Sequence, residues 1–598
     1  MAEQAIELNG GLPEFLRALR QRTGEVLAKP YLVPLVIGGI PLILVVLLSL
    51  FVFYTTFVPR LPTKPEWTLA NWALLADPHL WTVVMPNTLI VGFGAVAVTL
   101  FFAGPMAWLL VRTTIPFKNT LLTCVALVMV IPPFVKSMGW VLLLNERIGI
   151  LNRLIVSIFP IDSFPVSTNN VWGIAWVMGL TLMPTTFFLI AGPMRQMDPA
   201  MEEAASICGA SKLKTFLYVG MPLVWPAVVA AGIFTFMTAI SLFEVPAIIV
   251  GLGGSTPVLA TEMFFAVYGG DSGTTIRYGA AGVYAMLMMV PCLIGLYFYF
   301  KVIGKAHRYR VVTGKGYRPR DIDIGWWKWP GLIFIGLFLL FAAVLPLLWL
   351  VWISVASFRL PSIDALQHLN FGFYSWNYIL TAFGGWPTIR NTIVLVVAVC
   401  IVAIFLSVMI SWVVVRTKLR IRRVMDAASI LPHAIPGLAF AFALFILALT
   451  TEVWTGLSIV GTMALLVVAN VLSHLSYTTR VTNAALIQVH NELEEASRTC
   501  GATPLKSIFF ILIPLIRPAL VFVTIWVALR TFRELTMALF LTGTDNKVMA
   551  VQVWLAWNEG GLAQAAAGAV VMTIGCAILL FLGFVVTKGG VLKRATGN

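Results

Sequence analysis

The chain has 598 residues, 60% of them hydrophobic and only 11% charged, with 20 Trp and 39 Phe. That apolar share exceeds the roughly 45–50% of a soluble domain, and with its long uncharged runs it excludes a water-soluble enzyme. The formal charge of +15, from 40 basic and 25 acidic residues, asks which face of a bilayer the Lys and Arg occupy rather than which nucleic acid they bind.

The first thirty residues set Arg17, Arg20, Arg22 and Lys29 against Glu3, Glu7, Glu14 and Glu25, and no small-residue cleavage site follows the next apolar run. A retained first span is expected, not a removed signal peptide. Runs long enough for a transmembrane helix lie near 31–57, 87–111, 119–144, 170–192, 221–251, 278–303, 329–355, 391–415, 424–449, 455–476, 512–541 and 563–587. Twelve spans are therefore predicted in an all-α integral membrane protein. The most polar stretch, 304–328, falls between the sixth and seventh. It divides the chain into a tail (1–30), a six-helix domain (31–303), a basic linker (304–328), a second six-helix domain (329–587) and a second tail (588–598). With the N-terminus inside, 29 of the 40 basic residues fall on the inner segments and 9 on the outer side, while Arg530 and Arg533 lie within the eleventh run. This bias predicts both termini to be cytoplasmic.

The two halves repeat. Residues 202–227, EEAASICGASKLKTFLYVGMPLVWPA, match residues 494–519, EEASRTCGATPLKSIFFILIPLIRPA, at 12 of 26 positions without a gap. Further matches pair Asn87-Thr88 with Asn391-Thr392, Trp108 and Arg112 with Trp412 and Arg416, Ile131-Pro132 with Ile435-Pro436, and Glu244 with Glu534. Six spans per half give both the same orientation, hence a parallel repeat about a pseudo-two-fold axis along the membrane normal.

Each copy of the repeated loop reads as a helix, a bend and a second helix. In the first, Glu202, Glu203 and Ala204 open a short helix, Gly209 permits the bend, and Ala210 and Leu213 begin an apolar face before Pro222. In the second, Glu494, Glu495 and Ala496 are followed by Gly501, Ala502, Leu505 and Pro514. An ordinary loop tolerates almost any change, so its retention in both halves points to a surface that docks twice onto two like partners.

At these residues the sequence resembles the permease subunits of type I, binding-protein-dependent ABC importers, the MetI-like class. Their signature of EAA, three residues, Gly, about nine residues and a hydrophobic-Pro pair is met by Glu203-Ala204-Ala205, Gly209 and Pro222. Glu495-Ala496-Ser497, Gly501 and Pro514 meet it again, with Ser for the second Ala. The resemblance covers both halves and implies a fused permease in which two copies of that domain share one chain. It implies that the loops are coupling helices inserted into two copies of a cytoplasmic ABC ATPase, with Glu203 and Glu495 as acidic contacts. It further implies a periplasmic solute-binding protein as partner and a bacterial inner-membrane location.

No GxxxxGK[ST] occurs in the chain, so no nucleotide is held by that route and ATP is expected to be used by the partner subunits. No catalytic or metal site is predicted and no cofactor is expected. His433, flanked by Pro432 and Ile435-Pro436, has no partner at ligand spacing and is expected to pack. The charges inside spans, Glu244, Arg530, Arg533 and Glu534, are costly in lipid. Two readings stay open: pairing of Arg530 with Glu534 at i,i+4, or a lining of the outer end of a pathway. The runs FEVPAII (243–249), VLATEMFFA (258–266), GILN (149–152) and REL (533–535) resemble fused permeases of the ferric-iron importer group. That resemblance implies ferric iron as solute, with polyamine, thiamine, aminoalkylphosphonate or sulfate carried by related permeases. An ion-gradient-driven secondary transporter is the alternative from another class. It shares the helix count but gives no reason for duplicated loops.

Overall fold

The computed structural model describes residues 31–58, 67–145, 149–159, 167–195, 197, 201, 204–205, 207–251, 256–269, 276–306, 322–355, 372–381 and 384–595. Among them ten helices are long and apolar enough to cross a bilayer, and eleven when the bent pair Lys118–Val128 and Pro133–Leu143 counts as one span. Met463–Ile487 has the length, at 25 residues, but is too polar for that count. Its Asn470, His474, Thr478, Thr479 and Thr482 are buried against neighbouring helices, where Ser407 Oγ meets Thr482 Oγ1 at 3.3 Å. With it the helices number the twelve expected from sequence.

Several boundaries differ from the sequence reading, and the fifth and eleventh runs, 221–251 and 512–541, break after Ser241 and Phe532. The ninth run, 424–449, is not one helix: Ile421–Ala434 ends at Ile435-Pro436 and Gly437–Thr455 starts beyond it. The tenth begins at Met463, not 455. The equivalent Ile131-Pro132 breaks the third run, turning the chain by 91°. Pro132 and Pro436 both sit in extended conformation, at ψ 143° and 134°. Proline removes a helical N–H and drives the residue before it out of the helical region, so the same dipeptide breaks both halves at one place.

The Asn-Thr repeat has a shared task. Thr88 Oγ1 accepts from Leu259 N at 3.0 Å and Thr392 Oγ1 from Met549 N at 2.9 Å. Asn87 Nδ2 donates to Pro257 O, and Asn391 Nδ2 to Asp545 O and Lys547 O. Each pair thus satisfies backbone groups at the start of a short helix, Leu259–Tyr268 or Met549–Asn558.

The halves exchange their first helices. Leu32–Thr55 packs on Gly385–Arg416 and Gly437–Thr455 of the second half, and Leu345–Val355 packs on Pro133–Leu143 of the first. Glycine permits both crossings, since a Cβ at Gly38 would lie 2.9 Å from Ile410 Cγ1 and one at Gly139 would lie 2.6 Å from Pro346 Cβ. Between the halves Phe264 meets Phe540 and Trp554, Tyr268 Oη donates to Leu539 O at 2.8 Å, and His433 stacks on Phe234 at 5.1 Å. The linker is strapped down where it returns: Ile322 N donates to Arg112 O at 2.7 Å and Thr114 N to Ile322 O at 3.1 Å.

Candidate coupling loops and charged seam

The second loop is seen in full. Asn491–Thr499 forms its first helix, Pro504–Ser507 the second, and a π-helical turn, Ile508–Leu512, leads into Ile513–Phe532. Gly501 carries the bend at φ +80°. There Ala502 N donates to Ser497 O at 3.1 Å and Gly501 N to Arg498 O at 2.9 Å, the two bonds of a left-handed helix stop that closes otherwise unpaired carbonyls. Gly209 repeats it at φ +81°, with Ala210 N on Ala205 O at 3.0 Å. Thr503 Oγ1 and Ser211 Oγ then each accept from the amide three residues on, both at 3.4 Å. The first copy also has its π turn, Phe216–Gly220. Pro222 and Pro514 follow these turns, and a ring that clashes with the carbonyl four residues back accounts for the widened ladder.

Nothing lies within 4 Å of a Cβ built on either glycine, so a side chain there would meet strain from the backbone alone. Gly501→Ala is expected to cost about 1–2 kcal/mol, with Gly501→Asn costing less because Asn enters the left-handed region more readily. Thermal unfolding of the purified chain measures the order; an alanine variant as stable as the parent contradicts it.

The two glutamates of the second loop face opposite ways. Glu494 is 7% exposed and turned inward, where Oε1 accepts from Trp412 Nε1 at 3.1 Å and Oε2 lies 3.7 Å from Arg416 Nε. Arg416 also donates to Leu486 O at 3.0 Å, Val489 O at 2.7 Å and the Asn491 side chain. Glu495 and Ala496 are exposed, Ala502 and Leu505 are half-buried. In the first copy Glu202 and Glu203 lie outside the described residues, Ala204 and Gly209 are exposed, and Ala210 is half-buried. Leu213 lies in the short helix Lys212–Thr215. Arg112 is 2% exposed and donates to Met197 O at 3.4 Å, the counterpart of Val489 O. Exposed apolar side chains flank both loops, with Tyr218 and Phe510, at equivalent positions, each 78% exposed. The roles of Trp412 and Arg416 escaped the sequence reading, although their repetition at a helix end was the available signal.

The charged residues inside the spans meet at the seam between halves. Ile513–Phe532 ends just before Arg533, so Arg530 and Glu534 do not share a helix, and among the described residues no ion pair joins them. The i,i+4 reading is therefore not realised. Glu534 instead accepts from Met537 N at 2.9 Å and Ala538 N at 3.1 Å, heading the next helix, Thr536–Leu541. Arg533 reaches across to donate to Met129 O of the first half. Met129 stands at the end of the 11-residue helix Lys118–Val128, at the break in the third span. Glu244, 6% exposed, lies within Coulombic range of Glu534, Arg533 and Arg530, and its Oε2 accepts no hydrogen bond. Arg530 lies over the Trp526 ring at 5.9 Å.

Lys136 was missed by sequence reasoning, which left it on the outer side. It sits within Pro133–Leu143, 2% exposed and within Coulombic range of Arg533. A lone lysine in an apolar run was the signal. A cavity of about 350 Å³ opens between the halves, bounded by Phe234, Met237 and Tyr299 from one and His433, Tyr477 and Arg480 from the other.

Comparison with known proteins bears on this arrangement. The family described as binding-protein-dependent transport system inner membrane component matches residues 95–309 and 401–589, once in each half. The ferric transport system permease protein FbpB of Actinobacillus pleuropneumoniae is 25% identical over 558 residues, covering 90% of this chain and 75% of that protein. The Fe(3+)-transport system permease protein FbpB 2 of Haemophilus influenzae is 21% identical over 85% of this chain and 90% of its own length. The molybdenum transport system permease protein ModB of Escherichia coli is 30% identical over 204 residues, 33% of this chain and 86% of that protein.

Proposed function

Because the chain belongs to the family of binding-protein-dependent transport system inner membrane components, carrying that domain twice as a fused ferric-importer-like permease, we propose that it forms the pathway by which ferric iron enters a bacterial cell. As an ABC importer permease it is a multi-pass membrane protein whose task is transport, not catalysis. Iron as solute is supported by relatives named for ferric transport that align over 90% and 85% of the chain. Two copies of a cytoplasmic ABC ATPase dock on the two loops, and a periplasmic binding protein delivers the solute on the other face. Both termini lie in the cytoplasm, a reading supported by the 29 inner basic residues.

The observation that carries the coupling reading is the duplicated helix stop at Gly209 and Gly501, each with its left-handed φ and matching hydrogen bonds. A membrane helix needs no such turn to be stable, and an ion-gradient carrier has no use for two. By this reading Glu203 and Glu495 contact the ATPases. Replacing both with alanine is expected to leave the chain folded while ATP hydrolysis by the reconstituted complex no longer drives uptake. Uptake of labelled iron and phosphate release measured on the same proteoliposomes test this. Unchanged transport in the double variant, or uptake driven by an ion gradient with no ATPase present, overturns it.

A further inference from the structure

Three cationic side chains converge at the seam: Lys136 from the first half, Arg530 and Arg533 from the second. Arg533 lies within Coulombic range of both others and of Glu244. Charge in the membrane interior is costly and calls for a compensating reason. Internal pairing does not supply it. Among the described residues no ion pair involves any of the three, and Lys136 has no hydrogen-bonding acceptor. Glu534 is already occupied by the amides of Met537 and Ala538. Glu244 faces the cations with Oε2 unpartnered, and Glu534 lies within Coulombic range of Arg530. Three positive groups thus stand against two carboxylates.

The fold that the two halves share does not call for a cation at these positions. By the register that pairs Ile131-Pro132 with Ile435-Pro436, Lys136 corresponds to Phe440. By the register that pairs Glu244 with Glu534, Arg533 corresponds to Phe243 and Arg530 to Ile240. Phe440, Phe243 and Ile240 are buried, so the same positions of the same fold are built from apolar residues in the other half. The shared fold alone therefore does not account for the three cations.

Resting on the importer reading above, we propose that this seam is a binding site for an anion, and that the solute crosses it either as a free oxyanion or as a ferric ion enclosed in an anionic complex. A bare ferric ion seeks several oxygen ligands and is repelled by neighbouring ammonium and guanidinium groups. An oxyanion, or the outer oxygens of a ferric complex, accepts charge-assisted hydrogen bonds from the same groups, with arginine matching two oxygens at once. Glu244 and Glu534 keep the excess positive charge small enough for release.

The test uses the full complex with its ATPases and binding protein in proteoliposomes, supplied with ⁵⁵Fe together with labelled phosphate, carbonate or citrate, and separately with labelled oxyanion alone. Iron and one anion label are expected to enter together in constant ratio. Lys136→Gln is expected to lower that uptake by about tenfold or more, the size of one lost charge-assisted contact, with Lys136→Arg close to the parent. Iron entering without any anion label overturns the proposal and leaves the ferric reading standing. Uptake of oxyanion but not iron removes the ferric reading and supports the anion site. ATP-driven entry of a cationic or neutral organic solute overturns both. If Lys136→Gln fails to assemble, the label ratio with the unaltered complex decides.

Discussion

Alanine in place of Glu494 is expected to abolish transport and to destabilise the chain, whereas alanine in place of the adjacent Glu495 is expected to abolish transport with no loss of stability. Glu494 is buried between Trp412 and Arg416, both near the C-terminal end of Gly385–Arg416. Removing its carboxylate leaves the indole N–H without its acceptor and the guanidinium without the one anion paired with it among the described residues. Arg416 retains the carbonyls of Leu486 and Val489, so the expected loss is about 2–4 kcal/mol, toward the lower end of the cost of removing one member of a buried pair. Glu494→Gln is expected to recover part of that by restoring an acceptor to Trp412. Glu495 is exposed, and its removal breaks no internal contact. Thermal unfolding and iron uptake on the same preparations separate the two roles; equal stability of both alanine variants would contradict the geometry. Through Glu494 the loop is tied to the transmembrane helix Gly385–Arg416.

Arg533→Ala is expected to be the most damaging single change at the seam. The guanidinium spans the halves, donating to Met129 O at the break in the third span and lying within Coulombic range of Glu244. Its loss removes a cross-half hydrogen bond and leaves Glu244 with less compensating charge in a buried site. No ion pair joins the two among the described residues, so the expected cost in stability is that of one charge-assisted hydrogen bond and weaker compensation of Glu244, about 1–3 kcal/mol, and transport is lost with it. Adding Glu244→Gln removes the carboxylate left with less compensation, so the double variant is expected to regain part of that stability but not uptake. A double variant no more stable than Arg533→Ala alone would mean that Glu244 and Arg533 are not coupled. Unfolding midpoints of the four chains of the cycle give the coupling directly.

Much of this was legible in the residue order. The membrane class, the twelve helical elements, the parallel halves and the glycine at each loop bend all depend on local chemistry or on spacing. An apolar run of sufficient length has to be helical in lipid because its amides find no other acceptor. Glu494 and Glu495 show where this stops. They are consecutive and chemically identical, and in the sequence both read as one acidic docking surface. A helix turns about 100° per residue, so one of them meets Trp412 and Arg416 while the other meets solvent.

The breaks and crossings also lay beyond reach. Pro436 is in plain view, yet that it ends one helix and begins another, instead of merely kinking it, depends on what packs around it. The exchange of first helices between halves leaves no trace in periodicity, because lipid and a neighbouring helix are equally apolar surroundings. Lys136, Glu244 and Arg533 lie far apart in the chain and in different halves. Residue order alone dictates what each segment needs: a bilayer for the apolar runs, a left-handed turn at each loop glycine. Which charges meet is settled only by the packing of the halves, since Coulombic energy depends on separation in space and distant segments of one chain come together nowhere else.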